Sequence, residues 1–376
     1  MQGYRSIYIG PLIVLATLMP FFDWTEDLVS IGGFFYLNIY KLYFIITLGY
    51  IILQIKHVKA KEFYQVGMLI FLGIIFVLFH RNFDNLKGFF FVNSLLIIAT
   101  LTKGISPLIT PRNLFFLRTM IFVVLATAII EVVIDKKFVT PDFRDNHRQF
   151  LGYDLRRASL SFQDPNYLAF HSGMMCLILR LFSRRNEGLM TLFTFIIICL
   201  TGSRGGLLAI LSSLCFYQYY KYWRFSFNFL VYLSPLVLFL LLPKLSGIIN
   251  EIPELYLEAS VDIKTIMTRI ILWTAALSTI VANPIFGLGH GRISDYGKTQ
   301  YLPFDLPEDV NKIIDGMGFH NYWIELVVEN GIVISSLLMY ILWKKRTELK
   351  PLVIFLSVFL FTSGYESPFL LLLFIL

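Results

Sequence analysis

The stretch NLFFLRTMIFVVLATAIIEVVI, residues 113–134, decides how this chain is read. Its apolar residues form one long run rather than the periodic stripe that a surface helix keeps on its core-facing side. A run of ~17–25 mostly apolar residues can cross the hydrocarbon layer of a bilayer, because a single helix closes all its backbone hydrogen bonds internally. Comparable runs occupy Ile7–Phe22 and Phe34–Leu53. Over the 376 residues, 57% are hydrophobic and 15% charged, against ~45–50% and ~25% in an ordinary soluble domain. A soluble core of this size could not hide so many apolar segments. The expectation is an all-α polytopic membrane protein, one membrane domain over residues 1–376, with about twelve (ten to twelve) transmembrane helices. The predicted spans are 7–22, 34–53, 65–79, 88–101, 113–134, 163–182, 189–201, 204–220, 226–243, 320–342, 351–362 and 367–376.

Charge patterning gives these spans an orientation. Lys56/Lys59/Lys61, Lys103/Arg112, Arg184/Arg185, Lys221/Arg224 and Lys344/Lys345/Arg346/Lys350 fall in alternate connections, while Asp23, Glu26 and Asp27 stand together in the first. The positive-inside rule then assigns the basic connections and the N-terminus to the cytoplasm. Two long connections fall on the outer face, a loop over 135–162 and a large periplasmic loop over 244–319. Within the latter, Ile270–Val281 reads as an interfacial or re-entrant helix, since a further span would invert the charge pattern after it. The first apolar run follows a single basic residue, Arg5, and reads as a retained helix rather than a cleaved leader.

Several function classes are unsupported. The net charge of +7 fits basic cytoplasmic loops better than nucleic acid. Cys176, Cys199 and Cys215 lie in apolar segments and read as small buried hydrophobes. No spacing suggests zinc, and the glycines of 202–206 do not form a nucleotide-binding loop, so neither a metal nor a cofactor is expected.

Four segments carry more than hydrophobicity explains. In Thr201-Gly202-Ser203-Arg204-Gly205-Gly206, turn chemistry accounts for the glycines and Ser203 but not for Arg204. A cation at a helix start opposes the helix dipole unless an anion sits there, held by Arg204 and by the N–H groups of Gly205 and Gly206; the plainer alternative is an arginine snorkelling to headgroups. Arg269 precedes Trp273 by one helical turn, which puts both on one face. His320-Asn321 opens a span with Glu325 further in, and histidine is the side chain best able to exchange a proton near neutrality. A structural histidine is the competing reading. Asp164-Pro165-Asn166 reads as a helix cap, with Arg156 and Arg157 just upstream. Together Arg156, Arg157, Arg204 and Arg269 suggest an outward-facing anion site with His320 as its potential base.

The sequence resembles the O-antigen ligase and polysaccharide polymerase superfamily of bacterial envelope enzymes. The matching pieces are Phe162-Gln163-Asp164-Pro165-Asn166, Thr201–Gly205, Arg269–Trp273, Asn283-Pro284-Ile285-Phe286-Gly287-Leu288-Gly289 and His320-Asn321, in the family's order. The resemblance implies a multi-pass enzyme of the bacterial inner membrane whose active site faces the periplasm. It implies a metal-independent glycosyltransferase taking its glycan from a polyprenyl diphosphate. It further implies that Arg204 and Arg269 bind the diphosphate, that His320 is the base for the acceptor hydroxyl, and that Arg157 or Arg156 is an auxiliary.

The chemistry is self-consistent. The diphosphate is already an activated leaving group, cations stabilise the charge that grows on it, and one base takes the acceptor proton. Direct attack inverts the anomeric centre. A repeat-unit polymerase is the expected activity; a ligase transferring the glycan to lipid A-core or protein is the alternative, and a flippase of lipid-linked sugars is the alternative of another class. Expected partners are the lipid-linked donor, a glycan or lipid A-core acceptor, membrane lipids and other envelope-biosynthesis proteins.

Overall fold

The computed structural model describes residues 6–21, 27–31, 35–54, short pieces between 64 and 102, and residues 106–136, 147–150, 153–162, 164–183, 187–219, 261–289, 299–315, 319 and 322–345. The main helices among the described residues are α1 (Gly10–Leu18), α2 (Ile39–Gln54), α3 (Pro111–Ile134), α4 (Pro165–Phe182), α5 (Gly188–Thr201), α6 (204–219), α7 (Val261–Ala282), α8 (Glu308–Asp315) and α9 (Tyr322–Lys345). Three two-stranded sheets lie among them. β1 (Ser6–Tyr8) pairs in parallel with β4 (Ser106–Leu108). β2 (Asp27–Ile31) and β3 (Phe35–Asn38) are antiparallel, as are β5 (His147–Phe150) and β6 (Tyr153–Arg156).

The helices form two packed groups. In the first, α3 and α4 both pack on α5, and α1 packs on α3. Its core contains Leu12, Leu117, Ile121, Val124, Phe162, Leu168, Phe170 and Ile198. The central element is α4, buried almost continuously from Leu168 to Leu179. In the second group α7 packs on α9, and Ile271, Leu272, Ala275, Ala276, Val310, Ile314, Phe319 and Val328 share a core. The buried positions of α7 recur at three- and four-residue spacing, so one face is spent on packing. Helix α9 joins the groups, for Leu326 belongs to the first core and Val328 to the second.

Helix boundaries follow local chemistry. Thr110 caps α3 in a reciprocal pair with Asn113, and Pro111 fills the first position, where a missing N–H costs nothing. Asp164 caps α4 as the Asp-Pro-Asn spacing predicts, its carboxylate accepting from the Asn166 N–H at 2.8 Å and from Asn166 Nδ2 at 2.7 Å.

The expected bundle of about twelve membrane-spanning helices is corrected. Among the described residues one helix, Pro111–Ile134, is long and apolar enough to cross a membrane, by length and composition. The expected all-α architecture also gives way to a largely helical one with three short sheets. The physical reasons are local. The run 7–22 divides into β1, a helix of 9 residues and a 3-10 turn at Pro20, and 34–53 begins as strand β3 and leaves 16 residues for α2. At ~1.5 Å per residue such helices fall short of the ~30 Å hydrocarbon layer. Helix α5 has 14 residues, and α9 is broken at Gly331. The expected spans 226–243, 351–362 and 367–376 lie outside the described residues, and 65–79 and 88–101 are described in part. The cysteine reading is corrected as well: Cys176 is buried, whereas Cys199 and Cys215 are exposed.

Candidate functional site

The turn between α5 and α6 is built from the motif Thr201–Gly206. Gly202 ends α5 in the left-handed conformation (φ 63°), its N–H donating to Cys199 O at 2.9 Å. Glycine suits this position because a Cβ there would crowd the backbone. Ser203 then starts α6, its Oγ accepting from the Gly206 N–H at 3.1 Å. That bond corrects the expectation that the Gly206 N–H is open to an anion. Arg204 and Gly205 occupy the first positions of α6, where helix geometry supplies no intrahelical acceptor for the N–H groups. The Arg204 side chain is exposed. Gly206 has a packing role: a Cβ there would lie 3.0 Å from Ala169 Cβ and 3.2 Å from Ile198 Cγ2, so glycine lets α6 settle against α4 and α5.

Arg157 is tied to the same turn. Its Nε donates to Thr201 O at 2.7 Å, while the neighbouring Ala158 N–H donates to Leu200 O at 3.0 Å. Both acceptors belong to the last turn of α5, whose carbonyls have no helical donors and carry the negative end of the dipole. Arg156 faces the other way. It is buried, 3.8 Å from Glu131 and 3.7 Å from Asp135, both at the C-terminal end of α3, and it donates to Asp135 O at 3.4 Å. The two adjacent arginines therefore serve different helices.

Glu131 organises this segment. Its carboxylate, fully buried, accepts from the Leu160 N–H at 2.8 Å and from both the N–H and the hydroxyl of Ser159 at 3.3 Å. Leu160 has a φ of 51°, a left-handed conformation that a bulky residue rarely adopts. Such a residue costs ~1–3 kcal/mol and persists where its surroundings over-determine it.

Arg269 comes from α7 and is partly buried. Burial pushes its guanidinium below the usual arginine range, and the nearby Arg204 charge pushes it the same way. The fold thus brings within electrostatic reach two arginines from separate helix groups. One turn beyond Arg269, the Trp273 indole N–H donates to Phe319 O at 3.0 Å. Phe319 directly precedes His320 in the sequence, so α7 is fastened to the chain entering that histidine. His320 and Asn321 lie outside the described residues.

The segment Asn283–Gly289 locks the far end of α7 onto α9. Leu288 N donates to Val328 O, Gly289 N to Glu329 O and Ile332 N to Pro284 O, each at 2.9 Å. Gly287 and Gly289 have φ of 67° and 90°, and Gly331 breaks α9 with φ 74° and ψ 171°. A Cβ on Gly287 would lie 2.5 Å from the Glu329 backbone, and one on Gly331 would collide with the carbonyl of Ile285. The glycines permit two backbones to meet without side chains between them.

Sequence reasoning missed Glu131, Ser159 and Gly331. Each left a signal: an acidic residue in an apolar run, polar residues in an otherwise apolar approach to α4, and an Asn-Gly pair inside a predicted span.

Residues 189–339 match the family model described as O-antigen ligase. The chain carries this domain over part of its length. No curated protein and no solved structure matches it. The matched part runs from α5 to the second half of α9 and so contains Arg204, Arg269, the glycine-lined seam and His320. The match supports a glycan-handling enzyme of the O-antigen ligase and polymerase superfamily.

Proposed function

We propose that this protein transfers a glycan from a polyprenyl diphosphate to an acceptor hydroxyl at the periplasmic face of the bacterial inner membrane, as a repeat-unit polymerase. What carries the reading is Arg269, partly buried on α7, whose guanidinium is pushed down first by burial and then by the Arg204 charge, so that the two cations lie within electrostatic range. Like charges brought together from separate elements are unfavourable by themselves and become favourable around an anion carrying more than one charge. A diphosphate has that charge, and planar guanidiniums hold its oxygens in pairs.

In the proposed reaction the acceptor oxygen attacks the anomeric carbon from the face opposite the diphosphate. The new C–O bond forms as the bond to the diphosphate oxygen breaks, and the bonding pair leaves with the diphosphate. His320 takes the acceptor proton. Arg204 and Arg269 meet the developing negative charge, and this stabilisation is greatest in the transition state. Segments 135–162 and 244–319 supply Arg157 and Arg269 as site-forming connections, with Gly205, Asp164, Asn166, Asn321 and Trp273 as supporting residues. Apolar side chains exposed along α3, among them Phe115, Phe122, Ile130 and Val133, suit contact with lipid, where the donor resides.

The test is transfer from purified lipid-linked donor by the full-length protein and its Arg204→Ala, Arg269→Ala and His320→Gln variants at matched abundance. The arginine variants are expected to lose donor binding, and His320→Gln to keep it while losing turnover. Normal transfer by both arginine variants would overturn the reading. Offering a second lipid-linked repeat or lipid A-core as acceptor separates polymerase from ligase.

A further inference from the structure

We infer that Glu131 is a positioning residue for the anion site, acting through the segment Arg156–Leu160 and the Arg157 clamp on Thr201. The inference rests on the proposed function for its consequence, but its geometry stands separately. Glu131 lies in α3, and among the described residues it touches neither Arg204 nor Arg269. Instead its carboxylate accepts from Ser159 and Leu160 and faces Arg156 at 3.8 Å. Between these anchored residues stand Arg157 and Ala158, which bind the last turn of α5. The segment is therefore gripped by the end of α3 on one side and the end of α5 on the other. Side chains alternate along an extended chain, which is why Arg156 and Arg157 reach opposite neighbours.

A buried acid in an apolar helix is costly unless it is answered, so its presence there calls for a role. Burial of an apolar residue would serve packing equally well. Only an acceptor can hold the Leu160 N–H in its left-handed conformation while balancing the buried Arg156 charge. Glu131 thus sets where Arg157 meets Thr201, and Thr201 opens the turn that aims Arg204.

The experiment uses full-length protein in detergent, wild type against Glu131→Gln, Arg157→Ala and the double variant. Glutamine keeps the shape but loses the charge and turns an N–H donor toward groups that are themselves donors. The first readout is affinity for farnesyl diphosphate as a probe. Glu131→Gln and Arg157→Ala are each expected to weaken binding about tenfold, and the double variant by no more than twofold beyond either single one, since residues acting in series are not additive. In transfer assays the loss should appear in KM for the donor, with KM for the acceptor unchanged. Unaltered binding in Glu131→Gln, or losses that multiply in the double variant, would overturn the inference.

The second readout is amide hydrogen exchange over residues 201–206, which requires no substrate. Faster exchange in Glu131→Gln, with no further increase in the double variant, supports positioning even if the wild type binds no prenyl diphosphate and the proposed function falls. Exchange confined to residues 156–162 overturns positioning whatever the donor. Should Glu131→Gln fail to accumulate, Ser159→Ala removes one of the carboxylate's donors and is read identically, with a smaller expected effect of about threefold in affinity.

Discussion

Replacing Gly331 by alanine tests the glycine-lined seam between α7 and α9. Gly331 holds φ 74° and ψ 171°, a region open essentially to glycine, so alanine there costs ~1–3 kcal/mol before any collision. The added Cβ would also strike the Ile285 carbonyl and lie 2.7 Å from Phe286 N, forcing the two backbones of the seam apart. Three backbone hydrogen bonds cross there at 2.9 Å, from Leu288, Gly289 and Ile332. If two are lost at about 1 kcal/mol each, the total destabilisation reaches about 3–5 kcal/mol. At roughly 2–4 °C per kcal/mol, the unfolding midpoint of the detergent-solubilised protein should fall by about 6 °C or more. Gly49→Ala is the matched control. Gly49 lies in α2 with nothing within 4 Å of its would-be Cβ, so alanine there should be neutral or stabilise by about 0.5–1 kcal/mol. A Gly331→Ala midpoint equal to that of the wild type would refute the account of the seam.

Other consequences are simpler to measure. Asp164→Ala should cost about 0.5–2 kcal/mol in thermal unfolding through loss of the α4 cap; a larger fall in transfer than in stability would show that Asp164 also serves the site. Trp273→Phe removes the N–H that holds Phe319 O, so turnover should fall several-fold at wild-type donor affinity, read by separate binding and transfer assays. Glu187→Gln disturbs a bidentate pair with Arg118, whose Nη2 lies 2.6 Å from the carboxylate, and should cost about 1–3 kcal/mol in thermal unfolding with no specific effect on donor affinity.

The parts legible in the sequence were those governed by neighbours along the chain. The Asp164 cap and the Gly202 turn depend on residues within one helical turn, and their spacing announces them. The helix over 113–134 was visible because a single uninterrupted run is long enough by itself. The run over 7–22 misled because hydrophobicity records burial but not what buries it. Its first residues pair with β4, one hundred positions later, and no local pattern shows that. Glu131 was passed over for a related reason. In a list of apolar residues one acid is an exception to discount, and its three partners become apparent only when Arg156, Ser159 and Leu160 fold back against it.

The same distinction sorts the four arginines that sequence reasoning grouped as one cationic surface. Charge counting treats them as equivalent, but a buried cation beside carboxylates and one within range of another cation differ in what they offer an incoming anion. Arg156 is buried beside Glu131 and within 3.7 Å of the more exposed Asp135, so an anion gains little from it. Arg157 spends its Nε on the end of α5 and contributes by holding the turn. Arg204 stands on an exposed helix start, and Arg269, partly withdrawn from water, is pushed down first by burial and then by the Arg204 charge. Withdrawal from water strengthens any attraction to a phosphate and equally strengthens the repulsion when none is bound. The proposed diphosphate site therefore rests on that pairing more than on the number of arginines.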